Sequence, residues 1–194
     1  MNTTTETELA RLAAAELEKC LLRLTVASPG AWQLTGVRVF GGTARDALRR
    51  GEFEAPHGAA IRVKIKGDPS FTTVLLYDPK DTKHISGCFA EEAYYGPLSA
   101  DQPEVTIIEI GNIVLNALAN ALLRAFAKTA IPSVPAHFQG DAGAIENWLG
   151  AGPGSFLIVS AKLAMQRGGL SSSAELLALL PQQLAAGELP GEPA

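Results

Sequence analysis

The sequence predicts an α/β fold built from two related halves, and three observations carry that expectation. Two long helical segments, one at the start and one in the middle of the chain, are each followed by a short helix and a pair of strand-like runs. The stretch VFGGTARDAL from Val39 reads against HFQGDAGAIE from His137, a shift of 98 residues (137 − 39 = 98) that places Gly42 on Gly140 and Ala44 on Ala142. The same shift lays Leu12, Leu17 and Leu24 on Ile110, Leu115 and Leu122, while IRVKI from Ile61 falls beside IVSAK from Ile158, within one residue of it. A period of this length is far longer than that of a solenoid. Two fused halves predict a pseudo-two-fold molecule with its strands in a shared sheet and its long helices related by the internal axis. The expected organisation is one domain over residues 1–194, with halves at about 5–92 and 104–185 and a flexible tail at 186–194.

Each element follows from its local pattern. Residues 5–24 set Leu9, Leu12, Ala13, Leu17, Cys20, Leu21 and Leu24 on one face of a helix that opens with Thr and Glu. ASPG at 27–30 stops it, and QLTGVRVF reads as a strand ending at Gly41 and Gly42. TARDALRRG is a short helix with a Gly stop. AAIRVKIKG and FTTVLLYD flank a GDPS turn and make a hairpin. DTKHISGCFAEEA is another short helix, and YYGPLSADQPE a Pro-containing loop. The long helix runs from about Thr106 to Lys128, TAIPSVP interrupts, AHFQGDAGAIENWLG follows, and SFLIVSAKLAM and SSSAELLALLP are strands.

Composition narrows the function. With 194 residues, 47% hydrophobic and 19% charged, the chain can bury a full core. A net charge of −4 with Lys and Arg scattered offers no basic field for nucleic acid or anionic lipid, and neither is an expected partner. Cys20 and Cys88 are far apart and read as packing thiols, not as a disulfide or a metal site. The polar, acidic start and an apolar run broken by Asn and Arg lead to a cytoplasmic expectation.

The most informative stretch is EIGNIVLNALANALLRAF, from Glu109 to Phe126. Glu109, Asn112, Asn116 and Asn120 step by three, four and four residues, which stacks them in one stripe, and Arg124 continues it. Such a stripe on a buried helix is commonly a solvated strip and nothing more. Two details argue for more. A solvated strip is normally written with Lys, Glu, Gln or Arg, whereas three Asn weaken the helix. Gly111 weakens it again while allowing another surface to come close to the backbone. At the shift of 98 the first helix carries Arg11, Ala14, Glu18 and Leu22 instead, so the shared architecture does not require the stripe.

Glu109-Ile-Gly-Asn112-Ile, Asn120-Ala-Leu and Pro132-Ser-Val-Pro135, together with the duplicated plan over about residues 5–185, resemble the CheC/CheX/FliY phosphatases of bacterial chemotaxis. That family pairs Glu-x-x-Asn on a helix with a Pro some twenty residues on. Two departures are visible: Val105 stands where the family often has Asp or Ser, with Thr106 beside it as a candidate cap, and the motif occurs in the second half alone. The resemblance implies a CheC-like fold, with long helices on a shared, mainly antiparallel sheet. It implies hydrolysis of the phospho-aspartate of a CheY-like receiver, with Glu109 and Asn112 catalytic and Gly111, Asn116, Asn120 and Pro135 contacting the partner. It implies no cofactor of the chain's own, Mg²⁺ being supplied by the receiver. The phosphorylated receiver is the expected partner, and a CheD-like deamidase a further candidate. An Asn carboxamide suits the chemistry, since its oxygen accepts from a water, its NH₂ donates to a phosphoryl oxygen, and it does not titrate. Glu109, one turn earlier, would pair with the receiver's Lys.

The alternative is a non-catalytic flagellar-switch-like or CheD-binding scaffold on the same fold. Other sites are less well formed in the sequence. His57, His84 and His137 have no ligand spacing and read as loop or surface residues, Gly41-Gly42 lacks the rest of a phosphate loop, and the serines lack a triad.

Overall fold

The computed structural model of the chain describes residues 3–49, 57–68, 70–90, 102–152 and 154–185. The expected tail at 186–194 and residues 94–101 of the Pro-containing loop lie outside them. The first half contains α1 (Thr3–Ala27), β1 (Ala31–Gly42), α2 (Ala44–Arg49), β2 (Gly58–Lys66), β3 (Phe71–Tyr77) and, after a 3-10 turn at Pro79–Asp81, α3 (Thr82–Phe89). The second contains α4 (Gln102–Ala125), β4 (Ile131–Pro132), β5 (Ala136–Gly140), α5 (Ala142–Leu149), β6 (Phe156–Arg167), β7 (Leu170–Pro181) and α6 (Gln182–Ala185). Among the described residues, apart from the two-residue β4 and the 3-10 turn at Pro79–Asp81, the order repeats element for element. Both α2 and α5 (142 − 44 = 98) and β2 and β6 (156 − 58 = 98) begin at the shift read from the sequence.

One mixed-length antiparallel sheet joins the halves in the order β1-β6-β7-β3-β2, with β4 and β5 both paired to the far side of β2. Exchanging β1 with β5, β2 with β6 and β3 with β7 reverses this order, so the pseudo-axis passes between β7 and β3. IRVKI and IVSAK therefore occupy equivalent places, as the shift requires. The β6–β7 turn is made by Gly168 and Gly169, both at positive φ (59° and 79°), the conformation of a two-residue turn whose twist matches the strands.

The sheet is covered on both faces. α1 and α4 pack against each other and the sheet over one core, which includes Leu9, Leu17, Leu21, Ile107, Ile110 and Leu115. α2 and α5 close the smaller core over Val74, Ile158, Leu177 and Leu179. Their starts are capped at matching positions: Thr43 and Asp46 exchange hydrogen bonds at α2, and the Asp141 carboxylate accepts from the Ala144 amide at 2.8 Å at α5. Each fully buried Leu or Ile stabilises the fold by roughly 1.5–3 kcal/mol. Helix α4 is long and apolar enough to cross a bilayer by composition, yet 56% of that window is buried inside the protein. Most of its apolar surface goes to the core.

The boundaries of α4 correct the sequence reading. The helix begins at Gln102, not near Thr106, so QPE belongs to its first turn. Pro103 is tolerated there because the first N–H groups have no helical partner, and Glu104 suits the positive end of the dipole. Thr106 is consequently a buried residue inside the helix, not a cap. At the other end Lys128 N–H donates to Leu123 O at 2.8 Å and Ala127 N–H to Arg124 O at 3.0 Å, a Schellman closure with Ala127 at φ 50°. Gly is the residue suited to that conformation. Ala127→Gly is expected to raise stability by about 1 kcal/mol, read as a higher urea midpoint at unchanged slope.

Candidate functional site

Helix α4 stands on β2 through Gly111. A Cβ at this position would lie 2.9 Å from both Cγ2 and Cδ1 of Ile61, which is itself fully buried in β2. Gly111 is buried, so the surface that its missing side chain admits is the chain's own sheet. This corrects its expected role as a partner contact. The turn that carries Glu109 and Asn112 is seated against the sheet without an intervening side chain.

The stripe itself is divided by its contacts. Glu109 and Asn120 are exposed, while Asn112 and Asn116 are half-buried. Asn116 Nδ2 donates to Asn112 Oδ1 at 2.8 Å. That bond orients the Asn112 carboxamide, leaving one lone pair on its oxygen and both of its N–H donors. Among the described residues Glu109 makes no hydrogen bond or ion pair, so its carboxylate is available to a cation. Arg124 remains exposed but turns toward α1, where its guanidinium meets Glu16 at 3.0 and 3.3 Å. The exposed strip is also less polar than the sequence implied: Val105 is 57% and Ile113 38% exposed, so Glu109 lies between two apolar side chains one turn away on either side. The residue types alone gave no sign of this, since Val and Ile in such a helix read as core.

Pro135 is half-buried and Val134 is 85% exposed, so the PSVP segment presents Val134 more than Pro135 to solvent. Ser133 ties that segment to β2 through two bonds, Ser133 N–H to Lys64 O at 2.8 Å and Lys64 N–H to Ser133 Oγ at 3.0 Å. On the corresponding face of α1, Arg11 pairs with Glu8, and the stripe is completed by Ala14, Glu18 and Leu22, so it carries no amide to hold a water.

Only His57 is a surface histidine. His84 is half-buried, with Nδ1 2.7 Å from Ser172 Oγ, and His137 is half-buried with Nε2 3.0 Å from the hydroxyl of Tyr77. Pairing of β5 with β2 half-buries His137 and packing of α3 against β7 half-buries His84, neither of which single-sequence spacing reports. Desolvation raises the Tyr77 phenol and lowers His137 below its ordinary 6.5, although Glu104 opposes the latter. Both groups are thereby held neutral, and the phenol and Nε2 share one hydrogen bond. Because protonation of His137 favours the unfolded chain, its contribution to stability is complete above about pH 6.5 and falls as pH drops below that value. The urea midpoint is expected to decline between pH 7.5 and 5.5, and His137→Phe to flatten that decline. Cys20 and Cys88 are free, and burial pushes both thiols up. Among the described residues no three His, Cys, Asp or Glu side chains gather as metal ligands.

No model of a known protein family matches the chain, and no curated protein matches its sequence. Solved structures do match its fold. FliY of Thermotoga maritima aligns with a TM-score of 0.66 at 11% identity, covering 96% of this chain and 94% of that one. FliM of H. pylori, in a complex with FliG, aligns at 0.62 and 13% identity over 94% and 95% of the two chains. CheX of Desulfovibrio desulfuricans aligns at 0.50 and 9% identity over 87% and 97%. The duplicated α-β-α-β-β-α order, the shared antiparallel sheet and these three likenesses together identify the chain as having the CheC-like fold.

Proposed function

We propose that the chain is a phosphatase that hydrolyses the phospho-aspartate of a CheY-like receiver domain. The observation that carries this reading is the Asn116-oriented carboxamide of Asn112, one turn from an exposed Glu109 on the same helix face. In this reaction the receiver brings the phosphoryl group, its Mg²⁺ and its Lys as parts of the substrate. The chain has then to place a water in line and hold the two surfaces in register. Asn112 Oδ1 accepts from the attacking water with its remaining lone pair, and its NH₂ donates to a phosphoryl oxygen. Asn116 acts as a positioning residue, since its bond to Oδ1 keeps the NH₂ facing outward. Glu109 pairs with the receiver's Lys, and Val105 and Ile113 bury their exposed surface against the receiver beside it. A tenfold to hundredfold acceleration needs only about 1.4–2.7 kcal/mol of barrier reduction, within reach of one positioned amide.

A non-catalytic docking module is the second reading. It is favoured by the likeness to FliM, which forms a complex with FliG, and by the apolar Val105 and Ile113 on the same strip. The two readings separate in one experiment: phosphorylated CheY-like receivers from the same organism are followed with and without the chain. Faster decay with at least one receiver supports the phosphatase. Binding with decay unchanged for every receiver supports the docking module and overturns the phosphatase.

A further inference from the structure

Helices α1 and α4 run antiparallel on one face of the sheet. The Trp32 N–H donates to Thr25 Oγ1 at 2.9 Å across the tight α1–β1 turn, so α1 runs against β1. α4 runs with β2, from Gly111 over Ile61 to Ala130, just past the helix end, beside Gly67. β1 and β2 point the same way, since three strands stand between them in an antiparallel sheet. Arg124 of α4 meets Glu16 of α1, and the internal axis carries that pair onto Val26 and Val114 (124 − 98 = 26; 16 + 98 = 114). Val26 therefore stands across from Val114, whose neighbour is Ile113, and the end of the helix pair that holds Glu109 and Asn112 also holds the last turns of α1.

The two ends of this pair are equivalent in backbone and opposite in character. At the Glu109 end Leu22 is 65% and Val26 81% exposed, and both join the exposed Val105 and Ile113. At the far end the shift of 98 puts Asn120, Arg124, Thr7 and Ala15 in those four places, and ion pairs tie Arg124 to Glu16 and Arg11 to Glu8. The far end is an internal control, because the same helices cross over the same sheet there with no large apolar residue at any of the four positions. A single exposed Leu or Val is ordinary in a folded protein. Four gathered at the end that bears the Asn112 amide mark an interaction surface.

We propose that the last turns of α1, through Leu22 and Val26, are part of the docking surface for the receiver, which spans both helices. The inference rests on the receiver-directed reading of α4. Glu109 and Asn112 reach the receiver's phosphorylation site, and Leu22 and Val26 hold its flank. The patch is continuous with that site, since Val105 and Ile113 flank Glu109 and Ile113 adjoins Val26. Its charge also suits a receiver, because the exposed carboxylates Glu104 and Glu109 outnumber the one exposed cation on the last turns of α1, Arg23. A two-fold dimer would set the patch against itself, whereas a receiver brings its Lys. The receiver's own apolar contact is expected about one helix spacing, roughly 8–10 Å, from that Lys.

The test follows phosphorylated CheY-like receivers from the same organism, with binding and decay measured side by side on the full chain. Leu22→Gln/Val26→Gln keeps good helix formers at exposed positions, so the urea midpoint stays near that of wild type. Receiver binding, read as Kd and KM, is expected to weaken at least about tenfold with kcat at saturating receiver unchanged, because the patch holds the receiver equally in the ground and transition states. Leu22→Met/Val26→Leu, which keeps the apolar surface, is expected to bind as wild type does, and so is Leu170→Gln, which removes an exposed leucine at the β6–β7 turn. A double Gln variant that binds as tightly as wild type, or that lowers kcat alone, overturns the inference. A shift from dimer to monomer with receiver binding unchanged assigns the patch to a second copy and overturns it as well. The phosphatase reading fails separately: a wild-type chain that binds a receiver without speeding its decay sinks that reading while the Kd comparison still decides the patch, and one that binds no receiver sinks both.

Discussion

Asn112→Ala is expected to return the decay of the phosphorylated receiver to the receiver's own rate, a loss of about tenfold to a hundredfold, while the complex still forms. Under the phosphatase reading the substitution removes the amide proposed to position water and leaves Glu109, Val105 and Ile113 on the exposed strip. The loss is therefore confined to the transition state. Folding is not disturbed: Ala is the better helix former, and the Asn116 amide that loses its partner is half-buried and can turn to water. Glu109→Ala gives the contrasting result, weaker receiver binding together with a slower rate. Its difference from wild type shrinks as salt rises, because the interaction it removes is between exposed charges. Dephosphorylation and binding measured side by side for both variants, at two ionic strengths, separate the roles. An Asn112→Ala chain as active as wild type would sink the catalytic assignment and favour the docking module.

Gly111→Ala is the stability counterpart. The new methyl would sit 2.9 Å from two carbons of Ile61, a β-branched side chain fully buried at the centre of the α4–sheet contact. Ile61 has little rotamer freedom with which to yield. Overpacking of this kind costs about 1–3 kcal/mol, and the better helix propensity of Ala returns up to about 1 kcal/mol, so a net loss of about 1–2 kcal/mol is expected. In an Ile61→Ala background the clash disappears, and there Gly111→Ala should be neutral or stabilising. That double-mutant cycle isolates the contact from the general effect of replacing a glycine. Without such coupling, Gly111 would not be what seats the helix. Because Glu109 and Asn112 lie within two residues, the single variant should also lower receiver turnover by tilting the turn that carries them.

The repeat and the polar stripe were legible in the sequence because both are local. A helix places residues three and four apart on one face whatever it packs against, so the Glu109–Asn112–Asn116–Asn120 spacing names a surface before any fold is known. The shift of 98 survives at low identity because caps, glycine turns and apolar periodicity are each dictated by the backbone they permit. Thr43 and Asp141 cap equivalent helices, and Gly42 and Gly140 end equivalent strands. What covers each face is not local, and only the tertiary structure decided it. Gly111 was read as an opening toward a partner, but Ile61, fifty residues away in sequence, fills that space. Arg124 was read as part of the open seam and is held by Glu16 across the helix pair. Val105 and Ile113 look like core residues and face outward, whereas Glu175, in the strand run SSSAELLALLP, lies buried beside the Ser160 hydroxyl. Periodicity sets the direction in which a side chain points. Whether that direction ends in water, in the sheet or in a neighbouring helix depends on contacts between segments distant along the chain, which no local pattern encodes.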